Sequence, residues 1–180
     1  MKIAQLQEEV EKLSEALECV LPLVEHKAYE LASEYHSGQV DKFGVPYLHH
    51  VVSVAKSVKS VEDKVVALLH DILEDTTCTR EQLIESGIPP YLVESIEALT
   101  RKDGESYKEF ILRVSLDERA TRVKLADLKD NLDEDDARYV KACMYLNGEM
   151  PKSKVTDSLK QRYREAIRLL SEKQSLQEVE

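Results

Sequence analysis

EDKVVALLHDILED, residues Glu62 to Asp75, is the stretch on which the fold turns. Val65, Val66, Ala67, Leu68, Leu69, Ile72 and Leu73 fall nearly all round a helix, the pattern of one that runs through the centre of a fold. His70, Asp71, Glu74 and Asp75 stand at i, i+1, i+4 and i+5 and make a contiguous polar patch about a turn and a half long. Burying three crowded carboxylates without compensation costs on the order of several kcal/mol, or forces them to take up protons. A bound cation is the simplest remedy. Imidazole with carboxylate suits Mn²⁺, Fe²⁺, Co²⁺ or Zn²⁺, whereas an all-oxygen set would suit Ca²⁺ or Mg²⁺.

One His-Asp pair supplies only two ligands, and by itself it is a weak signal, more often a satisfied pair in a core. The candidates for the rest are His36, which precedes a loop, and Asp127, inside an amphipathic helix. Asp127 stands in VKLADLKDN, where Lys124, Asp127 and Asn131 share a face beside Val123, Leu125 and Leu128. There too a polar stripe interrupts a core helix.

Outward from this centre the chain reads as helices with short connections. Trp is absent, Gly and Pro number five each, and 42% of residues are apolar, which favours one all-α domain. Val24, Ala28, Leu31, Ala32 and Tyr35 predict a helix stopped by Gly38, and Leu48, Val51, Val52, Ala55 and Val58 another after the Gly44–Pro46 turn. Thr79 with Gln82, and Ser106 with Glu109, have capping-box spacing and open two more. Pro89 and Pro90 start a helix ending near Arg101, and further ones are predicted over 117–132, 135–147 and 155–171, with a frayed end after 174.

Ile3, Leu6, Val10, Leu13, Leu17, Val20 and Val24 repeat in alternating three- and four-residue steps, a narrow apolar seam. Residues 1–22 are thus expected to form an N-terminal amphipathic helix, kinked or divided at Pro22, with 23–180 as the main domain. The seam either packs on its own domain, the preferred reading for so short a run, or makes a homo-oligomer.

The net charge of −10, with no Lys/Arg block, argues against nucleic-acid partners and anionic lipid surfaces. Phosphate-bearing ligands would then need a metal or a local cationic pocket. Glu8, Glu9, Glu11 and Lys12 among the first apolar residues fit neither a signal peptide nor a membrane span. Cys19, Cys78 and Cys143 have no metal-ribbon spacing and read as reduced thiols, so a cytoplasmic protein is expected.

Four motifs in order, AYELASEYHSGQ with His36, GVPYLHHV with His50, ALLHDILEDT with His70 to Thr76, and VKLADLKDN with Asp127, resemble the HD superfamily. Within it they resemble the hydrolase domain of the RelA/SpoT homologues and the small alarmone hydrolases. The resemblance implies an all-α HD helical bundle carrying an extra N-terminal helix, with His36, His70, Asp71 and Asp127 holding one divalent cation, usually Mn²⁺. It implies Glu74 and Asp75 as the acidic pair that orients or activates water, Asn131 as a residue facing the nucleotide, and Lys42 as a substrate contact. The implied reaction removes pyrophosphate from the 3′ position of guanosine tetra- or pentaphosphate. His50 is expected to pack or to support the ligands rather than to be one.

The chain departs from that family at Asp41, which stands where an Arg faces the base, and at Leu128 and Asp130, where Arg and His are commoner. Asp41 favours a second reading, an HD hydrolase of another nucleotide or a small phosphate ester. A third is a non-catalytic module that binds metal or nucleotide and signals through the N-terminal seam, and the retained Glu74 and Asp75 speak against it.

Overall fold

The computed structural model describes residues 2–41, 44–132 and 156–177. Lys42, Arg138, Cys143, the acidic run 133–136 and the helix expected over 135–147 lie outside them.

The described residues are helical: α1 Lys2–Tyr35, α2 Leu48–Lys56, α3 Val61–Leu69, α4 Ile72–Asp75, α5 Arg80–Glu85, α6 Pro90–Leu99, α7 Tyr107–Val114, α8 Glu118–Leu132 and α9 Asp157–Gln177. No strand is present among them, only an isolated antiparallel bridge between Val40 and Pro46. The helix boundaries follow local chemistry. Gly38, at φ +76, takes the left-handed conformation just past α1 that a side chain would disfavour. Both capping boxes form, Thr79 with Gln82 at α5 and Ser106 with Glu109 at α7. Asp117 opens α8, its carboxylate accepting the backbone N–H of Ala120.

α3 is the central helix. Val65, Val66, Ala67, Leu68 and Leu69 are buried in succession, and α3 packs against α1, α2, α6 and α8. The patterning therefore reported its position correctly but not its length. The single helix expected over Glu62–Asp75 ends at Leu69, and Asp71 leaves helical geometry at φ −106°, ψ 0° before α4 begins. The turn between α3 and α4 sets His70 and Asp71 against each other, with His70 Nε2 2.9 Å from Asp71 Oδ2.

Three other expectations change. α1 runs through Pro22 as one helix, so Pro22 does not divide it. The seam does not pack on its own domain either, since Ile3, Leu6, Val10, Leu13, Leu17 and Val20 are all exposed, and only from Leu21 onward does this face enter the core. α9, expected to fray after 174, continues to Gln177.

Asp63 ties α3 to α8. It is buried, and its carboxylate accepts Nε of Arg122 at 2.7 Å and an Nη of Arg122 at 2.9 Å, with Arg119 Nε 3.7 Å away. Asp63→Ala is expected to lower stability by about 1–2 kcal/mol in urea titration, less than for a sealed pair because Arg122 remains partly hydrated. An unchanged midpoint would show that the pair contributes nothing.

Candidate metal centre

α3, α2 and α8 converge where the α3–α4 break turns His70 and Asp71 inward. His70 Nε2 lies 2.9 Å from Asp71 Oδ2 and 3.7 Å from Asp127 Oδ1. From α2, His50 Nε2 reaches to 3.2 Å from Asp127 Oδ1 and 3.9 Å from Asp71 Oδ2. Among the described residues, His50, His70 and Asp127 offer ligand atoms all within 4.8 Å of one another. His36, at the end of α1, approaches through Tyr47: their ring centroids are 5.0 Å apart, and the Tyr47 hydroxyl donates to Asp71 Oδ2.

The ring nitrogens have defined roles. His70 Nδ1 lies 2.7 Å from the Ala67 carbonyl oxygen, which can only accept, so Nδ1 carries a proton. The side-chain amide of Gln39 donates to the Asp75 carbonyl, which turns its Oε1 toward His36 Nδ1 at 2.7 Å and makes that nitrogen a donor too. His50 Nδ1 donates to Asp130 Oδ2 at 2.7 Å, and Ser53 Oγ donates to Asp130 Oδ1 at 2.6 Å. All three imidazoles are thus anchored through Nδ1, leaving Nε2 for the site. Nε2 of His36 and of His70 is buried with no hydrogen-bond partner; His70 Nε2 is close to Asp71 but not aligned for a bond. An orphaned His70 Nε2 beside the carboxylates of Asp71 and Asp127, with His50 Nε2 facing Asp127, fits a divalent cation, and the second orphaned nitrogen, on His36, lies behind Tyr47.

Electrostatics agree with that donor set. Burial would depress the His70 imidazolium, but Asp71 and Asp127 outweigh it and push its pKa up to about 10. Burial would raise the Asp127 carboxyl, yet Lys124, His50 and His70 hold it well below the usual carboxylate range. Asp71 is depressed as well, the charge of His70 overcoming burial. Protons on the imidazoles thus balance a strongly anionic pocket, which is the charge a metal ion would supply.

Asp127 is buried, and Lys124 Nζ donates to its Oδ2 at 2.7 Å while Asn131 Nδ2 donates to Oδ1. The face predicted for Lys124, Asp127 and Asn131 is therefore a connected unit. Glu74 and Asp75 depart from expectation, since both are exposed on α4 instead of crowding a buried patch. Glu74 accepts the backbone N–H of Arg101 at 2.9 Å, and Arg101 in turn donates its side chain to the Glu105 carbonyl. The Asp75 carboxyl is raised by partial burial and by the charges of Asp71 and Glu74. Asp41 accepts the N–H of Val45 at 3.0 Å, so its carboxylate braces the turn leading to α2.

Tyr47, Asp130 and Gln39 were not anticipated, nor was the place of His50 among the converging donors. Tyr47, His50 and Ser53 stand at three-residue steps at the start of α2, a polar stripe that could have marked that face. Nothing local in the sequence pairs it with Asp130.

An HD-domain family model matches residues 28–143. The guanosine-3′,5′-bis(diphosphate) 3′-pyrophosphohydrolase of Aquifex aeolicus is 34% identical over 118 residues, covering 59% of this chain and 17% of that protein. The bifunctional (p)ppGpp synthase/hydrolase SpoT of Escherichia coli is 31% identical over 141 residues, 68% of this chain and 20% of that one. The chain thus spans about a fifth or less of the length of these relatives. A solved structure described as a metazoan ortholog of SpoT that hydrolyzes ppGpp superposes with a TM-score of 0.55 at 21% identity, covering 81% of this chain and 94% of that one, a likeness of fold. With its four motifs in order along an all-helical fold and its model match over most of the chain, this protein belongs to the HD-domain family.

Proposed function

We propose that this protein is a metal-dependent phosphohydrolase that removes pyrophosphate from the 3′ position of guanosine tetraphosphate or a closely similar nucleotide, and that it works in the cytoplasm with Mn²⁺. The observation that carries the reading is the convergence of anchored imidazoles and carboxylates with unpartnered Nε2 atoms, in a chain whose relatives include proteins with (p)ppGpp hydrolase names, beside others named GTP pyrophosphokinase. Free Cys19 and Cys78 suit a reducing compartment. Among the described residues no helix is long and apolar enough to cross a membrane.

His36, His70, Asp71 and Asp127 would hold the cation. When bound, such an ion lowers the pKa of a water and offsets phosphate charge. The chain's own groups do the rest. Tyr47 fixes Asp71, while Lys124 and Asn131 fix Asp127. Asp75, with its raised carboxyl, takes a proton from the attacking water as the bond from phosphorus to the 3′-oxygen breaks, and a proton returns to that oxygen. Glu74, held to the Arg101 N–H, keeps the 100–106 loop against α4. Lys42 and Asn131 remain the proposed nucleotide contacts, Lys42 from the sequence alone.

Asp41 favours a second reading, a related nucleotide without guanine or a small phosphate ester, because a carboxylate cannot stack on a base as an Arg does. Pyrophosphate release by Mn²⁺-loaded protein, compared across guanosine tetraphosphate, other nucleotides and a generic phosphate ester, separates the two. Release from guanosine tetraphosphate alone supports the first. Turnover confined to the others replaces it with the second, and no turnover on any of them removes both.

The Asp130–His50 pair yields another expectation. Partners that orient groups around a metal are worth about 10–100-fold in metal affinity. Asp130→Ala, which removes the acceptor of His50 Nδ1, should weaken Mn²⁺ binding within that range in a calorimetric titration. An unaltered affinity would remove His50 from the account of the site.

A further inference from the structure

We propose that residues 3–20 of α1 form a parallel, two-stranded coiled coil with a second copy of this chain. The argument is independent of the hydrolase reading. Ile3, Leu6, Val10, Leu13, Leu17 and Val20 form a stripe along one helix face, and each is between 45% and 73% exposed. The same face carries Leu21, Val24, Ala28 and Leu31 into the domain core, so the uncovered stripe continues a face that is packed elsewhere. Because α1 is one helix from Lys2 to Tyr35, the packed half has already met the cost of nucleation, and the free half needs only propagation and a partner.

Residue types select the partner. In heptad terms Ile3, Val10 and Leu17 are a positions and Leu6, Leu13 and Val20 are d positions. Ile or Val at a with Leu at d, as in the first two repeats, favours two parallel strands. Charges at the flanking e and g positions choose between partners, and here those positions hold Gln7, Ser14 and Ala16, with Glu9 alone charged. Glu8, Glu11, Glu15 and Glu18 sit on the outer positions, away from the seam. In a parallel pair Glu9 faces Ser14 of the other copy, so self-association meets no like-charge repulsion, and the seam carries no charge pattern that would demand a different protein. A parallel arrangement would place both HD domains at the same end of a coil about 26 Å long.

The test is the mass of the full chain by light scattering over a concentration series, beside Leu13→Glu. The substitution lies on an exposed turn remote from the core, so its thermal melt reports whether the domain is intact. Wild type should be a dimer, and Leu13→Glu should raise its dissociation constant by about 100-fold or more, since two buried Leu side chains are lost. Orientation is read with Leu6→Cys in a Cys19→Ser, Cys143→Ser background under mild oxidant, since a d position near one end of the seam brings its two copies side by side in a parallel, in-register pair and sets them about 16 Å apart in an antiparallel one. Rapid disulfide formation between chains is the expected result. A monomer at every concentration, a dimer indifferent to Leu13→Glu, or a dimer without the Leu6→Cys disulfide would each overturn the proposal.

Discussion

Asp71→Ala is expected to lower hydrolysis by about 1,000-fold or more, the several kcal/mol that a metal ion contributes to such a reaction. Asp71 stands at the α3–α4 break: its Oδ2 lies 2.9 Å from His70 Nε2 and receives the Tyr47 hydroxyl. Removing the carboxylate takes away a proposed ligand and the acceptor that holds Tyr47. Asp71→Asn keeps the shape and loses the charge, so it should fall nearly as far. Rates from initial pyrophosphate release, with Mn²⁺ affinity measured in parallel, check both variants. If either keeps more than about a tenth of wild-type turnover at saturating metal, Asp71 is not a ligand that the reaction needs.

The second large effect concerns Asp127 and Lys124. Lys124 Nζ is mostly buried, lies 2.7 Å from Asp127 Oδ2, sits 5.3 Å above the Phe110 ring, and is held charged above its ordinary range by Asp127 and Asp71 despite burial. Asp127→Ala leaves that ammonium without its counter-charge, at a cost of about 3–5 kcal/mol, and removes a proposed metal ligand as well. Metal should then fail to rescue it. Lys124→Met instead leaves a buried carboxylate that the imidazoles or a cation can still neutralise. Its loss should be smaller, about 1–3 kcal/mol without metal, and largely recovered by saturating Mn²⁺. Urea titrations of both variants with and without Mn²⁺ measure this contrast, and equal rescue of the two would remove Asp127 from the metal centre.

Much of the architecture was legible because it is encoded locally. A capping box is a matter of residues three apart, and Thr79–Gln82 and Ser106–Glu109 both form as spaced. The all-round burial of Val65 to Leu69 follows directly from their apolar run. The break after Leu69 was hidden for a physical reason: a single residue, Asp71, leaves the helix, and α4 resumes so soon that the apolar period hardly registers it. That missed break explains the misplacement of Glu74 and Asp75, which a straight helix would have carried into the interior.

Tertiary pairings were beyond reach for a different reason. His50 and Asp130 are far apart in the chain, and nothing in either segment alone says that Nδ1 of one will meet the carboxylate of the other. The three anchored imidazoles illustrate the same limit, since an Ala67 carbonyl, a Gln39 amide and an Asp130 carboxylate do one job with unrelated chemistry. The N-terminal seam shows the converse. Spacing revealed an apolar face at once, but only the fold showed that the domain leaves it uncovered.

The claim on which the rest depends is our proposal that His36, His70, Asp71 and Asp127 together hold a divalent cation. Anomalous diffraction at the manganese edge from crystals of the full chain grown with Mn²⁺ tests it directly. The account predicts one strong peak per chain in contact with Nε2 of His36 and His70 and with carboxylate oxygens of Asp71 and Asp127. No peak there at saturating Mn²⁺, or a peak bound by other residues, would contradict it.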